Sequence, residues 1–130
     1  MKASSEGDLD AAFATLIQFR AGALIITTDA LFTESRDQIV ALTRRYSVPT
    51  MFQFREFAVA GGLISYGPQF GESYRQAGNL AGRILKGEKP ADLPVIRSTK
   101  FAMVINIKTA KELGIEVPDS MQMLADEVIE

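Results

Sequence analysis

ALIITTDALFTESRDQIVALTRRYSVPTMFQF, residues 23 to 54, decides how the chain is read. Ala23 to Thr27 is a short continuous apolar run with two isoleucines, closed by Thr28 and Asp29, and predicts a strand buried on both faces. Ser35 and Gln38 stand at capping-box spacing ahead of Ile39, Val40, Leu42, Thr43 and Tyr46, which predicts a helix from about Ser35 to Tyr46. Val48 and Pro49 end it, and Thr50 to Phe54 follows as a second strand. A strand, a crossover helix and a strand make a parallel pair, and the crossover is nearly always right-handed.

Upstream, Leu9, Ala12, Phe13, Leu16 and Ile17 recur at three- and four-residue steps behind the capping residue Asp8, as in an amphipathic helix stopped near Gly22. Downstream, Arg55 to Ala60 is a short connection and Gly61-Gly62 a turn. Leu63 to Tyr66 is a third strand, closed sharply by Gly67 and Pro68. Phe70 to Lys86 carries Tyr74, Ala77, Ala81, Ile84 and Leu85 on one helical face. Gly78 and Gly82 weaken that helix by about 1 kcal/mol each relative to alanine, so a close backbone crossing is expected there. Gly87 to Pro94 is a loop, Phe101 to Asn106 a fourth strand, and Lys108 to Leu113 a short helix closed by Gly114. Asp119 or Ser120 caps a terminal helix that carries Met121, Leu124, Ala125 and Val128. The sum is an α/β chain built from parallel-sheet βαβ units.

At 130 residues the chain has the length of a single domain, residues 1–130. Its formal charge of −2, with both signs interspersed, argues against nucleic acid as a partner. Cysteine and histidine are both absent, which removes thiolate and histidine-based catalysis and the commonest metal ligands. No phosphate-cradling glycine loop and no nucleophile elbow occurs, and the carboxylates are scattered. No catalytic residue, metal or cofactor is therefore expected, and the chain reads as a binder and not an enzyme. Met1 to Gly7 is short and polar, without the apolar stretch of a secretory signal, so the chain as written is expected to stay in the cytoplasm.

Ligands of open α/β sheets sit beyond the carboxyl ends of the strands. There the sequence puts Thr28, Asp29 and Phe32 after the first strand, Arg55, Glu56 and Phe57 after the second, and Tyr66 and Gly67 at the third. These are the candidate ligand-binding residues. Each has a plainer role open to it: Asp29 as a turn cap, Arg55 and Glu56 as an exposed ion pair, and the aromatics as core.

The run from Asp8-Leu-Asp-Ala-Ala-Phe through Ala23-Leu-Ile-Ile, Arg36-Asp-Gln-Ile-Val, Pro49 and Arg55-Glu-Phe to Gly61-Gly-Leu-Ile-Ser-Tyr-Gly67 resembles a known family. So do Arg83-Ile-Leu-Lys-Gly-Glu-Lys-Pro-Ala-Asp-Leu-Pro94, Lys100-Phe and Val104-Ile-Asn-Ile-Lys-Thr-Ala-Lys-Glu-Leu-Gly114. The family is that of ABC-transporter solute-binding proteins with the type I periplasmic-binding fold, in the branch of tryptophan- and tyrosine-type binders. The resemblance covers almost the whole chain and implies the C-terminal portion of a two-lobed protein, with pieces of both lobes and an incomplete second lobe.

What the resemblance implies is a periplasmic protein that closes on a small organic solute, amino-acid-like or aromatic, and presents it to an ABC permease. Asp29 and Arg55 would then suit an amino or carboxylate group, and Phe32 and Tyr66 an apolar part. The export signal and the N-terminal stretch of the family are not in this sequence. Faces that the stretch would cover are expected to drive homo-oligomerisation. The alternatives are a truncated dimerisation domain that binds nothing and, behind it, a small α/β enzyme or receiver-like signalling domain. Asp29 lacks the acidic neighbours a receiver needs.

Overall fold

The computed structural model describes residues 6–96 and 100–130. Its elements run α1 (Glu6–Gln18), β1 (Leu24–Ile26), α2 (Ala30–Glu34), α3 (Arg36–Arg45), β2 (Thr50–Phe52), α4 (Arg55–Val59), β3 (Ile64–Pro68), α5 (Phe70–Leu85), β4 (Phe101–Asn106), α6 (Ile107–Glu112), α7 (Asp119–Leu124) and β5 (Glu127–Ile129). The five strands form one sheet in the order β1-β2-β3-β4-β5. β1 with β2, β2 with β3, and β4 with β5 are parallel. Between β3 and β4 the chain reverses: the Asn106 amide donates to the Leu63 carbonyl at 2.9 Å, and the Gln69 amide to the Lys100 carbonyl at 3.4 Å. Partner numbers that rise on one strand while falling on the other define an antiparallel pair. The fold is thus the α/β architecture expected, a mostly parallel sheet with one antiparallel junction.

Length suggests one domain, whereas contacts divide the chain into two compact units, Met1–Gly67 with Ala102–Glu130, and Pro68–Phe101. In the first unit α1 and α3 bury Leu9, Phe13, Ile39, Val40 and Leu42 together with Phe52, Phe54 and Phe57. The rings of Phe52 and Phe57 stack with centroids 4.8 Å apart. Gly62 makes this possible, because a Cβ there would lie 2.6 Å from the Phe52 ring and 2.8 Å from the Phe57 carbonyl.

The two stretches of this unit are stapled by buried polar groups. Asn106 donates from its side chain to the Ala58 carbonyl at 3.0 Å, and Thr109 donates to the Gly61 carbonyl at 2.9 Å. The Arg44–Glu112 ion pair at 2.6 Å adds an exposed link. In the second unit α5 ends in Gly87 at φ +105°, and Arg83 pairs with Glu88 across that turn. No described side chain of this unit is buried.

Several expectations need correction. β1 is an edge strand, and Ile25 is 70% exposed, so burial on both faces fails. Helix α1 already includes Asp8, which therefore lies inside the first turn and is not its cap. Ser35 makes no side-chain capping bond at the head of α3. The connections Ala30–Glu34 and Arg55–Val59 are short helices, and Phe54 precedes α4 instead of ending β2. Gly67 and Pro68 continue β3. The terminal helix stops at Leu124, and Val128 lies in β5. Gly78 and Gly82 face open space, with nothing within 4 Å of an added Cβ, so no close crossing meets them among the described residues.

Candidate functional site

Because β1, β2 and β3 are parallel, their carboxyl ends share one edge of the sheet. Two contacts knit that edge. The Thr28 hydroxyl donates to the Gln53 side-chain carbonyl, joining the residues just beyond β1 and β2. A Cβ on Gly67 would lie 2.0 Å from the Gln53 backbone carbonyl, so the backbones of β3 and of the β2 exit approach closer than any side chain allows.

Asp29 follows Thr28 and is the N-cap of α2, its Oδ1 accepting from the Leu31 amide at 2.9 Å. Extended backbone at Asp29, φ −152°, turns the carboxylate back onto that amide. One oxygen is thereby committed, but an ionised carboxylate has about four acceptor positions and keeps capacity for another donor.

Arg55 opens α4 and is held by Glu127 of β5 through a two-pronged pair, Nε to Oε2 at 2.6 Å and Nη2 to Oε1 at 2.7 Å. Hydrogen bonding to Arg55, helped by the opposite charge and opposed by burial, holds the Glu127 carboxyl below the ordinary carboxylate range. Arg55 is correspondingly raised, first by that hydrogen bond and then by the charge of Glu127. Glu56, next in α4, is exposed.

Phe57 is 4% exposed inside the core, stacked on Phe52, and presents no surface to a solute. Phe32 packs against the same core and lines an apolar cavity of about 310 Å³ with Leu9, Phe13, Leu16 and Leu24. Consecutive residues of β1, Leu24 to Ile26, and Thr27 just after them also line it, so it follows the outer side of the edge strand. Tyr66 is half exposed, on the opposite face of β3 from the buried Ser65 and Gly67. The edge therefore assembles Thr28, Asp29, Gly67 and the start of α4, while Phe57 and Phe32 turn to apolar surroundings.

Two residues of this arrangement escape a reading of sequence. Gln53 is hidden within the predicted strand Thr50 to Phe54, although a lone polar residue between Phe52 and Phe54 hints that the strand stops early. Glu127 is hidden within the predicted terminal helix. Among the described residues no group of three His, Cys, Asp or Glu could hold a metal ion, and no helix is long and apolar enough to cross a membrane.

Comparison with known proteins places this geometry. A conserved domain protein from Vibrio cholerae superposes with a TM-score of 0.89 at 19% identity, over 98% of this chain and 43% of that one. An ABC domain in complex with L-Trp from Streptococcus pneumonia gives 0.89 at 26% identity, over 99% of this chain and 43% of that one. The ligand-free, open structure of a substrate binding protein with adhesive properties from Clostridium difficile gives 0.66 at 21% identity, over 98% and 42%. The chain thus spans less than half the length of these structures. A search of curated proteins found no match. The model of the family described as ABC transporter substrate binding protein, a family of binding proteins and not of enzymes, matches residues 2–129. The chain belongs to that ABC transporter substrate binding protein family.

Proposed function

We propose that this chain is the C-terminal portion of a periplasmic, two-lobed binding protein of an ABC importer, carrying parts of both lobes and the solute-contacting edge of one. The solute is a small amino-acid-like or aromatic compound that the protein delivers to its permease. The observation that carries this reading is the convergence of three parallel strand ends on the Thr28–Gln53–Gly67 edge, within a chain of a substrate-binding family. Thr28, Asp29, Glu56, Tyr66 and Gly67 are its polar and backbone contacts. Support for an aromatic solute comes from the structural relative of 26% identity, which is described in complex with L-Trp.

Titration calorimetry of the folded chain against aromatic amino acids, aromatic acids, aromatic amines and aliphatic amino acids tests this. Saturable heat with an aromatic member is expected. A folded chain silent across the panel defeats the solute assignment.

A second reading is self-association through the second unit. Leu85 is 88% exposed and Val95 fully exposed, in a unit with no buried side chain among its described residues. Such apolar area favours a partner surface. Sedimentation velocity over a concentration series decides it, a dimer supporting the reading and a monomer throughout removing it.

A further inference from the structure

We propose that Glu127 is a positioning residue of the solute edge: by gripping Arg55 from the far side of the sheet, it fixes the corner between β2 and α4 that presents Gln53 and Glu56. This rests on the proposed solute-binding role and deepens it, by giving a residue of β5 a part in setting affinity.

The corner needs support from outside itself. Residues 53 to 55 carry the chain out of β2 and into α4, a helix of five residues that is too short to hold its own shape. Phe54 at its head makes no side-chain capping bond. Phe54 and Phe57 bury their rings in the core, which fixes depth but carries no preferred direction. Directional bonds must therefore orient the helix. Two act toward and beyond its C-terminal end, from the Asn106 side chain to the Ala58 carbonyl and from the Thr109 hydroxyl to the Gly61 carbonyl. At its head stands the Arg55–Glu127 fork, Nε to Oε2 at 2.6 Å and Nη2 to Oε1 at 2.7 Å. Two parallel bonds between a planar guanidinium and a carboxylate set angle as well as distance.

Glu127 is placed and steadied for that grip. It stands opposite Val104 in the β4–β5 ladder, so its side chain leaves the same face of the sheet as Val104 and, two residues on, Asn106. Asn106 reaches Ala58, so this is the face that α4 covers. Asp126, just before Glu127, binds Met103 twice: its amide donates to the Met103 carbonyl at 2.9 Å, and its carboxylate accepts from the Met103 amide at 2.8 Å. β5 lies three places from β2 in the sheet, about 14 Å away. The fork carries a constraint across that distance to the backbone of Gln53, whose side chain accepts from Thr28 and whose carbonyl abuts Gly67. Arg55 thus acts on the solute through the corner it opens and not by touching it.

Calorimetry with L-tryptophan on the intact chain tests this, beside amide hydrogen exchange of the same chain without solute. Glu127→Gln keeps the shape of the side chain and removes its charge. It should weaken tryptophan about fivefold, the upper end of what a half-exposed pair is worth, with little change in melting temperature at neutral pH. It should also speed exchange at the Phe57 amide, which closes the first turn of α4 on the Phe54 carbonyl. Arg55→Gln should weaken tryptophan by the same factor, and the double variant no further than either alone, as for two residues that act as one unit. Exchanging the charges, Arg55→Glu with Glu127→Arg, should recover part of the loss, a gain that general loss of structure does not mimic.

An Arg55→Gln variant weakened well beyond Glu127→Gln overturns the proposal, because Arg55 then meets the solute itself. So does parental affinity in Glu127→Gln, with or without faster exchange. If another member of the aromatic panel binds and tryptophan does not, that solute takes tryptophan's place in each comparison. Silence of the unaltered chain toward the whole panel removes the solute reading and this role with it, and it is distinct from the two overturning results, which arise only in a chain that binds.

Discussion

Asn106 shows how much one side chain can hold together. It is 5% exposed, donates to the Ala58 carbonyl, and accepts from the Thr109 amide at 3.0 Å as the N-cap of α6. Asn106→Ala strands the buried Thr109 amide and leaves the Ala58 carbonyl to the Gly61 amide alone. A loss of about 1–3 kcal/mol is expected, the cost of one unsatisfied buried group. Urea unfolding checks this, and a midpoint equal to that of the parent would show that the staple is dispensable. Nothing in the sequence reveals this role, because Asn106 lies 48 positions from Ala58 and reads simply as a strand end. Gly67 is the reverse case. Its place at the sheet edge is legible, but its need to be glycine comes from the Gln53 carbonyl, which only the register of β2 against β3 brings near.

Among elements, those with a full period were legible and those without one were not. α3, α5 and β4 repeat their apolar residues long enough to be recognised. α2 and α4, at five residues each, complete little more than a turn. β5 has three residues and owes its existence to pairing with β4, a partner over twenty positions away. Ile25 failed for a related reason, since an apolar run records preference for a strand and not whether a neighbour lies on each side of it. Helix α5 offers an element-scale test. With open space at both positions, Gly78→Ala and Gly82→Ala should each stabilise the helix by about 1 kcal/mol. Slower amide hydrogen exchange along α5 is the expected sign. Faster exchange would mean that another backbone does press on those glycines in solution.

For the molecule as a whole, acid is the condition that should lower stability. Glu127, Glu88, Glu72 and Asp37 are all held below their ordinary values, in each case chiefly by hydrogen bonding to an arginine. Groups depressed in the folded state contribute stability that is present above their unfolded values and lost as pH falls through the folded ones. Thermal melts are therefore expected to be level from neutrality down to about pH 5 and to fall below about pH 4.5. A melting temperature unchanged at pH 3 would show that these pairs do not matter to the fold. The effect should be modest, because every one of these pairs is partly exposed to solvent.

The first unit is interrupted in sequence by the second, and its β4 and β5 come from beyond the interruption. During translation the early strands must therefore wait on the ribosome, with the carbonyls of Gly61 and Leu63 lacking their later partners Thr109 and Asn106, until codons past position 101 have been read. A helper that shields nascent chains would find its opportunity in that interval.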